Sequence, residues 1–287
     1  CATNAALAAD IAASKQHYPV GHMEAGRRSF NKAMPEELNR IMADHASTLL
    51  FAPTNTAFKN LMAEGFRPEN IAPYTINNPR VFLTGDIMYD NSLFYADRAE
   101  KKKQDFMEGL KLTENEYMLA TIHRDMNTDD PERLTAIFST LLELAENNSV
   151  RMVMPLHPRT MIALRNRVPD LYQSLTESRY ITVVRPVSFL EMIMLEKKAR
   201  LIITDSGGVQ KESHFFSKPC IVLRKETEWV ELVKNGTVRL ADADPVRIRE
   251  AWNYFMNNSE VLQYPAFYGD GKAAVTMLRE ILEIFRS

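Results

Sequence analysis

The residues of this chain best placed for chemistry stand at the carboxyl ends of apolar runs, where open α/β sheets bind their ligands. Leu201-Ile202-Ile203-Thr204 leads through Asp205 into Ser206-Gly207-Gly208 and then a helical pattern. The N–H groups of such a turn, with a helix N-terminus behind them, can hold a phosphate without any side-chain charge. Ten of the 287 residues are glycine, about half the usual share, so a Gly pair at this place carries weight. A plain strand-to-helix turn also uses glycines, for close packing only, and both readings stand at this point. Glu212, one helical turn beyond Gly208, is either a bidentate acceptor for ribose hydroxyls or a surface acid.

A second group gathers in Gly21-His22-Met23-Glu24-Ala25-Gly26-Arg27-Arg28. Glu24 closes a strand-like run between two glycines and precedes two arginines, so its neighbours rather than free solvent set its ionisation. Further on, Glu36 opens a helix after Met34-Pro35. Two carboxylates brought to one cleft are what removal and return of a weakly acidic C–H proton requires. Helix capping and a salt-bridged loop account for the same spacing. His123 follows the run Met118–Ile122, and His157 stands in the same kind of position in Pro155-Leu156-His157-Pro158. Two strand-end histidines fit an anion-binding cleft better than a core. Neither has a second ligand at helical spacing, so a metal site is not expected. His17, His45, His214, Phe215-Phe216 and the Met192–Met194 stretch read as structural.

These groups need a parallel sheet to hold them. Residues 5–14 read as a helix from the outset, and Pro35 at a first helical position, followed by Glu36 and Glu37, puts negative charge where the helix dipole favours it. Strands are expected at 18–22, 48–51 and 80–83, with helices from Pro35 and over 55–64 between them. A charge-studded helix over 89–110 follows, whose Lys101-Lys102-Lys103 reads as a solvated face. Six more strands then fall at 117–122, 150–155, 181–185, 201–204, 220–223 and 237–240, separated by helices at 130–146, 159–167, 189–197, 209–216 and 245–256. Strands alternating with helices imply βαβ units and a parallel sheet. With three strands before Gly85 and six after it, the second lobe reads as complete and the first as half of one.

Composition narrows the function classes. At 45% hydrophobic and 25% charged residues the chain is neither disordered, collagenous nor a coiled coil. Thirty-five basic against 37 acidic residues leave no basic field of the kind that holds nucleic acid. Cys1 and Cys220 offer neither a disulfide framework nor a zinc cluster, and a reducing compartment is the simpler expectation. No apolar run approaches the roughly 20 residues that cross a bilayer, and the first residues lack a signal core. A cytoplasmic protein with no membrane or nucleic-acid partner is expected.

Taken in order, HMEAGRRSFNKAMPEELNR (His22–Arg40), LFAPT (Leu50–Thr54), LTGD (Leu83–Asp86), TIHRD (Thr121–Asp125), PLHP (Pro155–Pro158), TDSGGVQKE (Thr204–Glu212) and YGDGKAA (Tyr268–Ala274) together resemble the non-hydrolysing UDP-N-acetylglucosamine 2-epimerase family. The resemblance covers nearly the whole chain. It implies an α/β fold of two Rossmann-like lobes of the glycosyltransferase-B type, with the sugar nucleotide held in the cleft between them. The first lobe would be incomplete at its N-terminal side. Residues 1–88 would form that partial lobe, 89–267 the UDP-binding lobe, and 268–287 a helix returning to the first. A UDP-sugar substrate, no metal, no redox cofactor and a homodimer follow from the same resemblance. The implied reaction removes the C2 proton and expels UDP to give a glycal, then returns UDP with a proton on the other face, converting UDP-GlcNAc to UDP-ManNAc. By motif, Glu24 and Glu36 match catalytic carboxylates and His123 the histidine near the diphosphate. Ser206, Gly207 and Gly208 match the diphosphate loop and Glu212 the ribose contact. Met192 falls in the stretch that encloses uracil.

Three features depart from the family. Its opening strand and basic loop do not precede Cys1. Cys1-Ala2-Thr3 stands where members usually read Gly-Asp-Thr, which puts Ala2 at the position of a catalytic Asp. Glu228-Trp229-Val230 replaces the usual Glu-Arg-Pro. That last variant, with Arg28-Ser29-Phe30-Asn31, is similar to the branch acting on UDP-2,3-diacetamido-glucuronate. The sequence thus leaves the UDP-sugar open. It also leaves open a non-catalytic UDP-binding remnant and a glycosyltransferase of the same fold.

Overall fold

The computed structural model describes residues 3–102 and 104–286. Cys1, Ala2, Lys103 and Ser287 lie outside the described residues, and with them the expectations placed on Ala2 and on the third lysine of the 101–103 run. Two compact units are present, one of Cys1–Leu93 with Pro265–Ser287 and one of Phe94–Tyr264. Divisions were expected after 88 and 267. The observed divisions fall after Leu93 and after Tyr264.

The first unit runs α1 (Asn4–Lys15), β1 (Gly21–Met23), α2 (Pro35–His45), β2 (Leu49–Ala52), α3 (Asn55–Ala63) and β3 (Arg80–Leu83), then enters α4 (Ile87–Lys102), the helix that holds the division. Its strands are parallel in the order β1-β2-β3. Thr3 and Thr54 start α1 and α3 by accepting the N–H groups of Ala6 and Ala57, satisfying donors that a helix start leaves open. Every residue of the central strand β2 is buried, as expected for a parallel strand covered on both faces. Leu50 and Ala52 pack with Ala57 and Leu61 of α3. Leu49 and Phe51 pack instead with Ala273 and Met277, from the last helix of the chain.

The second unit continues with α5 (Gln104–Gly109), β4 (Tyr117–Thr121), α6 (Asp125–Thr128), α7 (Pro131–Asn147), β5 (Arg151–Pro155), α8 (Pro158–Arg167), α9 (Pro169–Glu177) and β6 (Ile181–Val184). After these come α10 (Phe189–Lys198), β7 (Leu201–Thr204), α11 (Gly207–Phe215), β8 (Cys220–Val222), α12 (Val230–Asn235), β9 (Val238–Leu240) and α13 (Pro245–Asn258). The final helix, α14 (Ala273–Arg286), belongs to the first unit. The six strands are all parallel in the order β6-β5-β4-β7-β8-β9, so the winding reverses between β4 and β7. That reversal is the switch point at which a doubly wound sheet opens a crevice. Phe138 and Leu141 of α7 and Trp252 and Phe255 of α13 join the strand side chains in one buried core.

Three helices were not foreseen: the single turn of α6, together with α9 and α12. Pro169 ends the pattern of α8 and at the same time sits in the first turn of α9, a position where proline is favoured. The six residues of α12 are too few to show a helical period.

Candidate functional site

In the second unit Thr121 of β4 pairs with Thr204 of β7, their hydroxyl oxygens 2.6 Å apart. Both strands end just beyond, at the switch point. Asp205, fully buried there, accepts the main-chain N–H of His123 at 3.1 Å on each oxygen, that of Arg124 at 3.0 Å and the side-chain amide of Asn127 at 3.1 Å. Nδ1 of His123 lies 3.4 Å from Asp205, while the ring remains half-exposed. A buried acid just past β7 therefore folds the chain leaving β4 into α6 and leaves the imidazole open.

The next residue, Ser206, caps α11. Its Oγ accepts the Val209 N–H and its own N–H donates to Thr204 Oγ1 at 3.0 Å. Gly207 and Gly208 are the first two positions of α11, where N–H groups have no intrahelical acceptor and the helix dipole favours an anion. Residues 224–229 brace this turn. Trp229 Nε1 donates to the Gly207 carbonyl at 2.9 Å. Gln210 donates to the Ser206 carbonyl at 3.2 Å and accepts from Thr227 Oγ1 at 2.6 Å. Glu228, paired with Arg224 at 3.1 Å, lies so close that a Cβ on Gly207 would stand 2.8 Å from its Oε1. A side chain there would push the Glu228 carboxylate aside.

Glu212 is buried further along α11, and Met192 is half-buried on α10. α10 packs against α11 and brings in Glu196, whose two oxygens are buried without a hydrogen-bond partner. Burial, and then the nearby Glu212 charge, push the Glu196 carboxyl well above the ordinary range. His157 ends β5 as the exposed N-cap of α8, its Nδ1 accepting the Arg159 N–H at 3.3 Å. His123, Ser206, Gly207 and Gly208 thus stand at adjacent strand ends of one sheet, with Glu212 one turn deeper.

In the first unit Glu24 follows β1 with φ 62°, a left-handed conformation that side chains seldom adopt and that surroundings must enforce. Arg27 lies 3.4 Å from its carboxylate. Behind the turn, buried Asp44 accepts from His22 Nδ1 at 2.6 Å, from the Gly26 N–H at 3.0 Å and from Arg28 at 2.7 Å. Arg28 also grips both oxygens of Glu64 at 2.6 Å. Burial alone would raise the Asp44 carboxyl, but the hydrogen bonds and charges of His22 and Arg28 outweigh it and hold it below the usual carboxylate range. Asp44 therefore ties strand β1 to the turn that presents Glu24. Glu36 is exposed in the first turn of α2. Its neighbour Glu37 turns inward and accepts the N–H groups of Ser29 at 3.0 Å and Phe30 at 2.9 Å and Arg40 at 2.6 Å. Burial raises Glu37, and these donors more than reverse it.

Asp44, Glu37 and Asp205 had no assigned role in the sequence. Asp205 lay within the Thr204–Glu212 motif, where an acid preceding a phosphate-type turn was a usable signal. Asp44 gave none, since its partners His22 and Gly26 are 22 and 18 residues away. Among the described residues, no three His, Cys, Asp or Glu side chains gather as a metal site requires. Among the same residues, no helix is long and apolar enough to cross a membrane.

The sequence profile of the family described as UDP-N-acetylglucosamine 2-epimerase matches residues 1–282. The UDP-N-acetylglucosamine 2-epimerase homolog of Methanococcus maripaludis is 38% identical over 285 residues, which is 99% of this chain and 73% of that protein. UDP-2,3-diacetamido-2,3-dideoxy-D-glucuronate 2-epimerase of Pseudomonas aeruginosa is 43% identical over 272 residues, 95% of this chain and 70% of its own. The crystal structure of Methanocaldococcus jannaschii UDP-GlcNAc 2-epimerase in complex with UDP-GlcNAc and UDP matches with a TM-score of 0.84 at 35% identity, covering 98% of this chain and 74% of that one. Its Rossmann-like lobes of the glycosyltransferase-B type are the fold expected from the motifs. On the profile match and these relatives together, the chain belongs to the UDP-N-acetylglucosamine 2-epimerase family.

Proposed function

We propose that the protein interconverts the C2 epimers of a UDP-linked 2-acetamido sugar, UDP-GlcNAc and UDP-ManNAc, by eliminating UDP and adding it back through a glycal. The observation that carries this reading is the Ser206-Gly207-Gly208 turn at the switch point with His123 beside it, in a chain of this family. When C1–O breaks, its electron pair leaves with UDP and the C2–H pair forms the C1–C2 double bond. Negative charge then grows on the diphosphate. The N–H groups at the start of α11 and the imidazole of His123 are donors already in place for it, with little reorganisation left to do. Glu212 takes the ribose hydroxyls, and the stretch with Met192 takes the uracil. Glu24 and Glu36 divide the proton work, one removing H2 and the other delivering a proton to the opposite face as UDP returns. The proton and leaving-group balance closes without net oxidation.

A second substrate, UDP-2,3-diacetamido-glucuronate, is favoured by Trp229 in the Glu228-Trp229-Val230 run and by the 43% identity to the enzyme of that name. On either reading the enzyme works in the cytoplasm as a homodimer and feeds surface-polysaccharide synthesis. Incubation of the full-length protein with each UDP-sugar in D2O, followed by NMR of the sugar C2 position, tests the reaction and ranks the substrates. Deuterium entry at C2 is expected with at least one of them. UDP binding without exchange in either sugar refutes the epimerase reading in favour of a non-catalytic UDP-binding protein.

A further inference from the structure

Trp229 stands where the family usually carries the Arg of Glu-Arg-Pro, and it is buried against the turn at the start of α11. We propose that Trp229 is a positioning residue for the diphosphate, its indole N–H fixing the Gly207 carbonyl and with it the direction in which the first N–H groups of α11 point. The inference rests on reading Ser206–Gly208 as the diphosphate turn.

Gly207 has no side chain by which to be held, and it opens a helix, where chains fray. Its carbonyl accepts the indole N–H at 2.9 Å. The residue is itself held at its backbone and at its ring. The Trp229 main-chain N–H donates to Thr227 Oγ1 at 3.1 Å, and Lys211 Nζ lies 4.5 Å from the centre of the ring, within cation–π range. Glu228 also stands beside Gly207, its charge paired with Arg224. Trp229 therefore supplies a rigid, neutral donor to the backbone that meets the phosphates. Such a residue acts through Gly207, so its effect follows the diphosphate and not the nucleoside.

Trp229→Phe keeps an aromatic ring beside Lys211 and deletes the donor. Calorimetry with UDP and with uridine, on wild type and variant, separates the roles. Loss of one hydrogen bond is expected to weaken UDP about 5- to 10-fold and to leave uridine within about twofold, with KM for the UDP-sugar rising more than kcat falls. Unchanged UDP affinity, or equal loss of UDP and uridine, overturns the inference. Should the variant not fold, the wild type still decides. The chain has two tryptophans, Trp229 and Trp252, so the indole N–H resonance of Trp229 can be followed directly. It is expected to shift with UDP and stay in place with uridine, and a resonance unmoved by UDP overturns the proposal. A wild type that binds neither ligand overturns the reading of the turn itself, a different failure from a wild type that binds UDP beside an unaltered variant.

Discussion

Asp205→Asn tests how much one buried carboxylate contributes to the ends of β4 and β7. Its two oxygens receive the main-chain N–H groups of His123 and Arg124 and the amide of Asn127, with His123 Nδ1 at 3.4 Å. An Asn of the same shape can place its one oxygen toward Arg124 and Asn127. That oxygen still accepts the His123 N–H, which reaches both carboxylate oxygens at 3.1 Å, while the NH2 sets the other half of that contact donor against donor. A hydrogen bond to a charged acceptor contributes roughly 1.5–3 kcal/mol and a neutral one roughly 1 kcal/mol. Losing half of the His123 contact and the charge assistance in all three bonds therefore costs about 2–4 kcal/mol. Both tryptophans lie in the second unit, Phe94–Tyr264, so urea unfolding followed by their fluorescence reads this unit directly. A loss below about 0.5 kcal/mol would show that water replaces the carboxylate without penalty. It would also remove the argument that Asp205 shapes the chain carrying His123.

Three further outcomes are expected. Gly26→Ala destabilises the first unit by roughly 2–4 kcal/mol in chemical denaturation, because Gly26 has φ 79° and a Cβ there would overlap the Ala57 carbonyl; a neutral result contradicts the packing of this turn on α3. Asp44 and Glu37 are both held below their ordinary values of 3.8 and 4.5, so the unfolded chain takes up protons at higher pH than the folded one. Their stabilisation is full above those values and drains away as pH falls through the lower folded ones, and Asp44→Asn should flatten that acid limb in a stability–pH series. Glu196 has the opposite sign: raised from 4.5, it favours folding while protonated and costs stability as pH rises. Glu196→Gln should raise the thermal midpoint at pH 8 and leave it little changed at pH 4, and an unchanged midpoint at both would refute the upward shift of the buried acid.

Local chemistry explains what could be read from sequence. The strands Arg80–Leu83 and Leu201–Thr204 match expectation residue for residue, because each is an apolar run closed by a turn signal. Ser206-Gly207-Gly208 implied a ligand turn at the carboxyl end of a strand, and the observed strand order puts that strand at the switch point. The start of α2 followed from Pro35 and the acids behind it. Which acid turns inward did not follow, since Glu37 is selected by the N–H groups of Ser29 and Phe30, outside the helix. The same limit hid Asp44 and the brace of residues 224–229 behind Gly207. Long-range partners leave no periodicity, and Trp229 was visible only as a departure from a motif, not as a donor.

The covering of β2 has a consequence for the order of synthesis. One face of that strand is closed by α3, which follows it at once in the chain, but the other is closed by Ala273 and Met277 of α14. As the chain emerges from the ribosome, all of Phe94–Tyr264 is made while Leu49 and Phe51 still lack their partners. The unit that is translated first is thus completed last, and its half-covered sheet is the part that a chaperone would have to shield in the meantime.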